Sequence, residues 1–134
     1  MYGSLDISTS ALVAQRTRLN VIAANIASQK DLLNAAGEYD PYRRRFVVFG
    51  TGDPARGSPE GVHVASIEFD RSPLLPKLEP GSPYADADGY VYYPNVNSVI
   101  EQINAMEATR AYEANITAIE ATKSMISVAL QIIA

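Results

Sequence analysis

The sequence ADADG places two carboxylates, Asp86 and Asp88, where they could bind calcium or act as an acid and a base. An EF-hand loop with Gly89 at its sixth position would begin at Tyr84 and end at Asn95. Such a site requires an aspartate at the first position and a bidentate glutamate at the twelfth, and neither tyrosine nor asparagine can serve there. Two carboxylates two residues apart in a turn also fix no separation for acid–base catalysis. The stretch therefore favours a turn.

Two further features could bind ligands, and both lack essential partners. The glycine-rich loop from Gly50 to Ser58 has no lysine before Ser58, and Pro54 and Pro59 oppose the helix that would hold a phosphate. His63 is the only histidine, and the chain has no cysteine to share a metal with it. We therefore predict no catalytic, cofactor-binding or metal-binding residues, and a protein that is not an enzyme.

The composition narrows the classes of partner. A net charge of −4, from 11 basic and 15 acidic residues, opposes nucleic-acid binding, because such proteins usually carry a basic excess. The one basic cluster, Arg43 to Arg45, is predicted to lie on a solvated edge strand. The N-terminus lacks the basic region of a secretory signal, and the uncharged apolar stretches, 19–29 and 124–134, are about half as long as a bilayer span. We expect a soluble or assembled chain without a membrane span.

Proline and glycine divide the chain into three segments. All eight prolines lie between Pro41 and Pro94, and both ends of the chain are almost free of helix breakers. The predicted segments are an N-terminal helix at 1–30, an irregular connection and small β module at 31–94, and a C-terminal helix at 95–134. Within the middle segment, β-branched and aromatic residues predict strands at 42–49, 62–69 and 90–93, after an irregular connection at 30–41.

Both helical segments repeat apolar residues every seven positions, as coiled-coil helices do. The first helix is expected to run from near Asp6 to about Gln29, and the second to begin with a capping box from Ser98 to Glu101. Asn20, Asn25 and Asn115 either fix the register of the packed helices, or point to solvent or bond backbone carbonyls. The residues predicted to form the assembly interface are Leu5, Leu12, Leu19, Ile22, Ile26, Tyr112, Ile116, Ile119, Ile126, Leu130 and Ile133.

The length of the second helix indicates that it projects from the rest of the chain. A helix over 98–133 is about 54 Å long, whereas a compact chain of this size is about 36 Å across. Of the 40 residues from Asn95 to Ala134, 22 are hydrophobic and six are charged. The predicted fold is α+β, with long terminal helices paired antiparallel as a coiled coil around a small β-hairpin module. Since pairing covers one stripe of each helix, the remaining apolar surface predicts contacts with neighbouring molecules.

Five stretches of the sequence resemble the flagellar rod and hook axial proteins. The first, LDISTSALVAQRTRLNVIAANIAS (5–28), is similar to the N-terminal signature of that family. The others are PYRRRFVVF (41–49), GVHVASIEFDRSP (61–73), ADADGYVYYPNVN (85–97) and RAYEANITAIEATKSM (110–125). Together they cover most of the chain in the family's order, with a departure where this chain reads LEPGSP (78–83).

The resemblance implies a structural subunit of the proximal rod in the bacterial flagellar basal body. Such a subunit polymerises through its terminal helices and transmits motor torque to the hook. The resemblance also implies export by the flagellar type III apparatus without a cleaved signal, and a place in the periplasmic rod. The implied partners are copies of the chain, other proximal rod proteins, the hook–basal body adaptor FliE and distal rod proteins.

Two alternatives follow from the residues themselves. One is a self-contained helical hairpin that binds a single partner helix and remains monodisperse. The other is a small enzyme or metal-binding module that uses Asp86, Asp88 and His63.

Overall fold

The computed structural model describes residues 2–134, which form two long helices with two small antiparallel sheets between them. The elements are α1 (Tyr2–Ala27), β1 (Arg45–Asp53), β2 (Ser58–Phe69), β3 (Leu75–Leu78), β4 (Tyr90–Tyr93) and α2 (Ser98–Ile133). The sheets pair β1 with β2 and β3 with β4. The α+β fold class is confirmed, although the single expected hairpin module consists of two sheets.

Helix α1 begins four residues earlier than predicted. The carboxylate of Asp6 does not cap it, but accepts a hydrogen bond from the Arg56 guanidinium at 2.6 Å. The helix ends at Ala27, two residues before the predicted end at Gln29. The sequence suggested a cap at Asp6 because aspartate is favoured there, but a partner from the β1–β2 turn takes that carboxylate instead.

The N-cap of helix α2 is Asn97, not Ser98. Its Oδ1 accepts hydrogen bonds from the backbone N–H groups of Val99 at 3.0 Å and Ile100 at 3.4 Å. The predicted capping box does not form, because the Glu101 side chain lies inside the protein and is 1% exposed. The sequence pattern was compatible with either role for Glu101, and tertiary partners decide between them.

The two helices run antiparallel. Asn25 lies beside Glu101, with Nδ2 to Oε2 at 3.3 Å, and Arg18 lies beside Glu107, with a nitrogen to oxygen distance of 3.5 Å. Helix α2 has 36 residues and α1 has 26, so this pairing leaves roughly the last nine residues of α2 beyond the start of α1. Among the named elements α2 contacts α1 alone, whereas α1 also contacts β1 and β2.

The sheet formed by β1 and β2 is longer than predicted, and its pairing is irregular. Strands β1 and β2 extend through the expected loop to a turn at 54–57, and a register shift follows Val48. Strand β3 was not predicted, because Leu-Pro-Lys-Leu contains no β-branched or aromatic residue. The connection at 30–41 is irregular apart from one bridge between Leu33 and Tyr39.

The buried core is small. Within residues 2–134 the buried hydrophobic side chains are Ala14, Ile22, Val91, Val96 and Ala108. Two of these five are alanines, so little apolar side-chain volume is enclosed within one chain. The fold therefore depends strongly on the helix pair and on polar contacts around it.

Candidate assembly surface and its polar hub

One face of α2 lies against α1. Its more buried residues recur in two rows of seven-residue spacing. One row is Ala105, Tyr112 and Ile119, and the other is Glu101, Ala108, Asn115 and Thr122; Ile126 and Ala129 continue the two rows beyond the start of α1. Each residue of the second row lies four residues before or three residues after a residue of the first row, as in heptad packing. The helix therefore presents a mixed seam to α1, with large apolar residues in one row and small or polar residues in the other.

The predicted interface residues of α2 divide between this seam and solvent. Tyr112 and Ile119 are partly buried on the seam, and Ile126 is partly buried in the stretch of α2 beyond the start of α1. Ile116, Leu130 and Ile133 are 37%, 61% and 83% exposed, so they do not bury against α1. Beside Ile116, the position that faces α1 holds Asn115, and Leu130 lies beyond the start of α1, so both side chains are available to a neighbouring molecule.

The predicted interface residues of α1 all lie on covered faces. Ile22 is 5% exposed, and the seven-residue row of Leu5, Leu12, Leu19 and Ile26 is partly buried. A neighbouring stripe that includes Ala14 and Asn25 is also buried. Helix α1 contacts α2, β1 and β2, so it is the central element of the chain.

The outer surface of α2 exposes an unusual amount of apolar side chain. The large hydrophobic residues of α2 that are exposed are Val99, Ile100, Ile103, Met106, Ile116, Met125, Val128, Leu130, Ile132 and Ile133. A surface of this kind marks an interaction site in a protein that remains in water. By length and composition α2 could also cross a membrane, which is weak evidence because helices of soluble proteins pass the same test.

A polar hub joins α1, α2 and β1 at the point where the helix pair meets the β module. At its centre the fully buried Asn25 uses all its hydrogen-bonding groups. Its Nδ2 donates to Arg45 O at 2.8 Å and to Glu101 Oε2 at 3.3 Å. Its Oδ1 accepts from Arg45 N at 3.0 Å and from the Tyr42 hydroxyl at 2.9 Å. Of the three asparagines proposed to fix register, Asn25 thus has the geometry to do so.

The second part of the hub is an ion-pair chain. The Glu101 carboxylate accepts a hydrogen bond from Arg44 Nε, and another Arg44 nitrogen lies 3.6 Å from Asp70. Hydrogen bonds from Ser72, together with the nearby Arg44 charge, lower the pKa of Asp70. Burial raises the pKa of the neighbouring Tyr42 hydroxyl.

The arginine cluster was therefore only partly understood from the sequence. Arg44 is not a solvated strand charge, since its side chain is 23% exposed and pairs with buried Glu101. Arg45 lies over the rings of Tyr42 and Phe69, at 5.7 and 5.1 Å from their centroids. The prediction of a solvated edge strand could not identify a buried carboxylate as the partner of one of these arginines.

The other two asparagines make no comparable contacts. Asn20 is exposed on α1. Asn115 lies on the seam, but its Nδ2 donates to the carbonyl of Ala111 within its own helix at 2.7 Å. Near the middle of α1, Gln15 has a buried Oε1 atom without a hydrogen-bond partner in the described chain. Among these three asparagines, Asn25 at the hub end is therefore the one that bonds across the helix pair.

The residues considered for chemistry have structural roles. Asp86 Oδ1 accepts from the backbone of Asp88 and Tyr90, and Oδ2 accepts from the Tyr92 hydroxyl, so the stretch forms a turn. The negative charge of Asp86 raises the pKa of Tyr92. His63 Nδ1 lies 2.9 Å from the carbonyl oxygen of Gly52. No group of three or more potential metal-binding side chains occurs in the part of the chain that the structure describes.

Tyr39 also has a structural role that the sequence did not suggest. Its hydroxyl donates to Tyr92 O at 3.0 Å and accepts from Tyr92 N at 3.1 Å, while its ring stacks on Tyr84 at 5.4 Å. Asp86 bonds the backbone of Tyr90 in a similar way. Side chains thus occupy the outer edge of β4, which protects the strand from pairing with another chain there.

Known sequences match the two ends of the chain and most of its length. Residues 5–27 match the family described as "Flagella basal body rod protein", and residues 87–132 match "Flagellar basal body rod FlgEFG protein C-terminal". The first match lies within α1, and the second spans β4 and nearly all of α2. The two helices that form the seam are therefore the parts that these families describe.

Full-length relatives extend the similarity through the β module. The flagellar basal-body rod protein FlgC of Salmonella typhimurium is 44% identical over 120 residues, which cover 90% of this chain and 88% of the relative. FlgC of Borreliella burgdorferi is 39% identical, with 99% of this chain and 97% of the relative covered. FlgC of Bacillus subtilis is 37% identical, with 98% and 97% covered. The chain belongs to the FlgC family of flagellar basal-body rod proteins.

Proposed function

We propose that this protein is a structural subunit of the proximal rod and assembles through α1 and α2. The observation that carries the proposal is the exposed apolar surface of α2, on a chain whose relatives are named basal-body rod proteins. Burial of that surface stabilises an assembly at about 25 cal/mol per Å² of apolar area. In the rod, the paired helices act as a coiled coil, and the shaft they form transmits motor torque to the hook.

The proposed partners follow from this role. They are copies of the chain, other proximal rod proteins, the adaptor FliE and distal rod proteins. The proposed location is the periplasmic rod, reached by flagellar type III export without a cleaved signal. A rod subunit needs no catalytic centre, and the hydrogen bonds of Asp86 and His63 within the fold agree with a structural role.

A complementation experiment tests the proposal. The chain is expressed in a flagellated bacterium that lacks its own FlgC, and basal bodies are purified. We expect restored swimming and the chain in the rod fraction. Failure to enter basal bodies, together with a monodisperse chain that binds one partner helix, would support the helical-hairpin adaptor instead.

Two variants of α2 sharpen this test. Val128 is 53% exposed, so Val128→Asp should leave the isolated chain folded while preventing its assembly. Ser127 is the adjacent exposed residue and already polar, so Ser127→Asp is the matched control and should assemble. Equal assembly of both variants would show that the outer face of α2 is not required for assembly.

A further inference from the structure

A cleft between α1 and β2 is separate from the α1–α2 seam. It has a volume of about 230 Å³. Its apolar lining comes from Val13, Ala14, Val62 and Val64. The cavity is smaller than the roughly 300–1,000 Å³ of sites that enclose small-molecule ligands. Its size suits a side chain better than a cofactor.

The polar groups around this cleft are already bonded within the chain. The hydroxyl groups of Thr9 and Thr17 donate to the carbonyls of Leu5 and Val13. The Ser10 hydroxyl donates to Ile7 O at 2.7 Å and accepts from Val62 N at 3.1 Å. These internal bonds leave the hydroxyl groups poorly placed to hold a polar ligand. An apolar occupant therefore fits best.

The charged side chains and the imidazole at the rim likewise have partners within the chain. Arg56 donates to Asp6 at 2.6 Å and lies 3.5 Å from Asp53, and His63 Nδ1 contacts Gly52 O. The cleft thus presents methyl groups surrounded by neutralised charge.

The same chain carries an apolar projection that its own fold cannot cover. Leu130, Ile132 and Ile133 are 61%, 80% and 83% exposed in the last turn of α2. The antiparallel pairing places this turn beyond the start of α1. It also places Ile132 about 28 Å along the helix axis from Val13, since nineteen helical residues separate Ile132 from the α2 position beside Val13.

We propose that Ile132 and its neighbours in the last turn of α2 insert into the α1–β2 cleft of a second copy. A reciprocal exchange between two copies would close into a pair, whereas a one-way insertion is a heterologous contact that continues from subunit to subunit. A rod needs such a contact. The inference rests on the proposed rod function and adds the pair of surfaces through which successive copies join.

Engineered cysteines test this contact without interference, because the chain has no cysteine of its own. The variant Val13→Cys/Ile132→Cys should form a disulfide-linked product of two or more chains in purified basal bodies. A disulfide within one chain is excluded, since it requires Cα atoms within about 7 Å of each other. A second pair, Thr9→Cys/Ile133→Cys, should also cross-link, which guards against one unfavourable geometry.

The control pair is Ile67→Cys/Ile132→Cys. Ile67 is 47% exposed on β2 but does not line the cleft, so this pair should remain unlinked. Basal bodies that contain the cleft pairs without cross-links would overturn the inference and leave the rod function intact. Cross-linking of the control pair to the same extent would also overturn it. If the unmodified chain never enters basal bodies, the proposed function itself fails, and the proposed contact fails with it.

Discussion

The carboxamide of Asn25 pairs with both backbone groups of Arg45, as a neighbouring strand would. The distances are 2.8 Å to the carbonyl oxygen and 3.0 Å from the amide nitrogen. Because Asn25 belongs to α1 and also bonds Glu101 of α2, one side chain fixes the edge of β1 and the register of both helices. The hub therefore joins the helix pair to the β module.

Replacing Asn25 by alanine should lower the free energy of unfolding by about 3 kcal/mol. The change removes the partner of the part-buried backbone groups of Arg45 and of a buried oxygen of Glu101, and a buried group without a partner costs about 1–3 kcal/mol. Chemical denaturation followed by circular dichroism measures the change. Asn20→Ala, at the exposed asparagine of the same helix, is the control and should cost less than about 0.5 kcal/mol. Equal effects would show that Asn25 has no special role.

The two ion pairs made by glutamates of α2 should differ in strength. Glu101→Gln removes the charge that pairs with Arg44 inside the protein, and we expect a loss of about 3 kcal/mol. Glu107→Gln breaks the pair with Arg18, but Glu107 is 69% exposed, so the loss should stay below about 1 kcal/mol. Urea unfolding of both variants gives the comparison. The prediction is wrong if Glu107→Gln is the more damaging change.

Removing the unpartnered oxygen of Gln15 should stabilise the chain. Gln15→Met keeps the length of the side chain and removes a buried polar atom without a hydrogen-bond partner, so we expect a gain of about 1 kcal/mol. Thermal unfolding at fixed protein concentration measures the gain. A loss of stability would indicate that the amide makes a favourable contact.

The stability contribution of Asp70 should depend on pH. Its pKa in the folded protein lies below the ordinary value of 3.8, so its contribution is present above that value and is lost as the pH falls through the folded pKa. Asp70→Asn should therefore be less stable than the parent at pH 7, and the difference should shrink at acidic pH. Denaturation series from pH 7 to pH 2 test this. A difference that stays constant over that range would contradict it.

Opening the helix seam should block assembly without unfolding the sheets. Ile119 is partly buried against α1, and an aspartate there carries a charge into the seam. Ile119→Asp should abolish rod incorporation while the amides of residues 45–93 keep their hydrogen-exchange protection. Thr117→Asp, at an exposed position two residues earlier, should assemble normally.

The sequence was sufficient to predict the two helices, the β module between them and the antiparallel pairing, because helix breakers and heptad spacing are local signals. It was not sufficient to identify the hub. Glu101 matched a capping box and Arg44 matched an edge-strand charge, and each assignment satisfied a local rule. Only the three-dimensional arrangement brings the two residues together, across 57 positions of sequence.

The interface residues show the same limit. Ile116 and Leu130 are apolar but exposed, whereas the positions that face α1 hold Tyr112 and Ile119 together with smaller or polar residues. Hydrophobic periodicity alone could not separate the face that covers α1 from the face left for a neighbour, because both faces of α2 are apolar.

The most direct test of the central claim is hydrogen exchange in α2, compared between the dilute free chain and assembled rods. The account predicts that amides at 125–133 exchange rapidly in the free chain and are strongly protected in rods, because this end of α2 lies beyond the start of α1 and its burial is completed by neighbouring subunits. Equal protection in both states would contradict it, and would indicate a helical hairpin that is complete by itself.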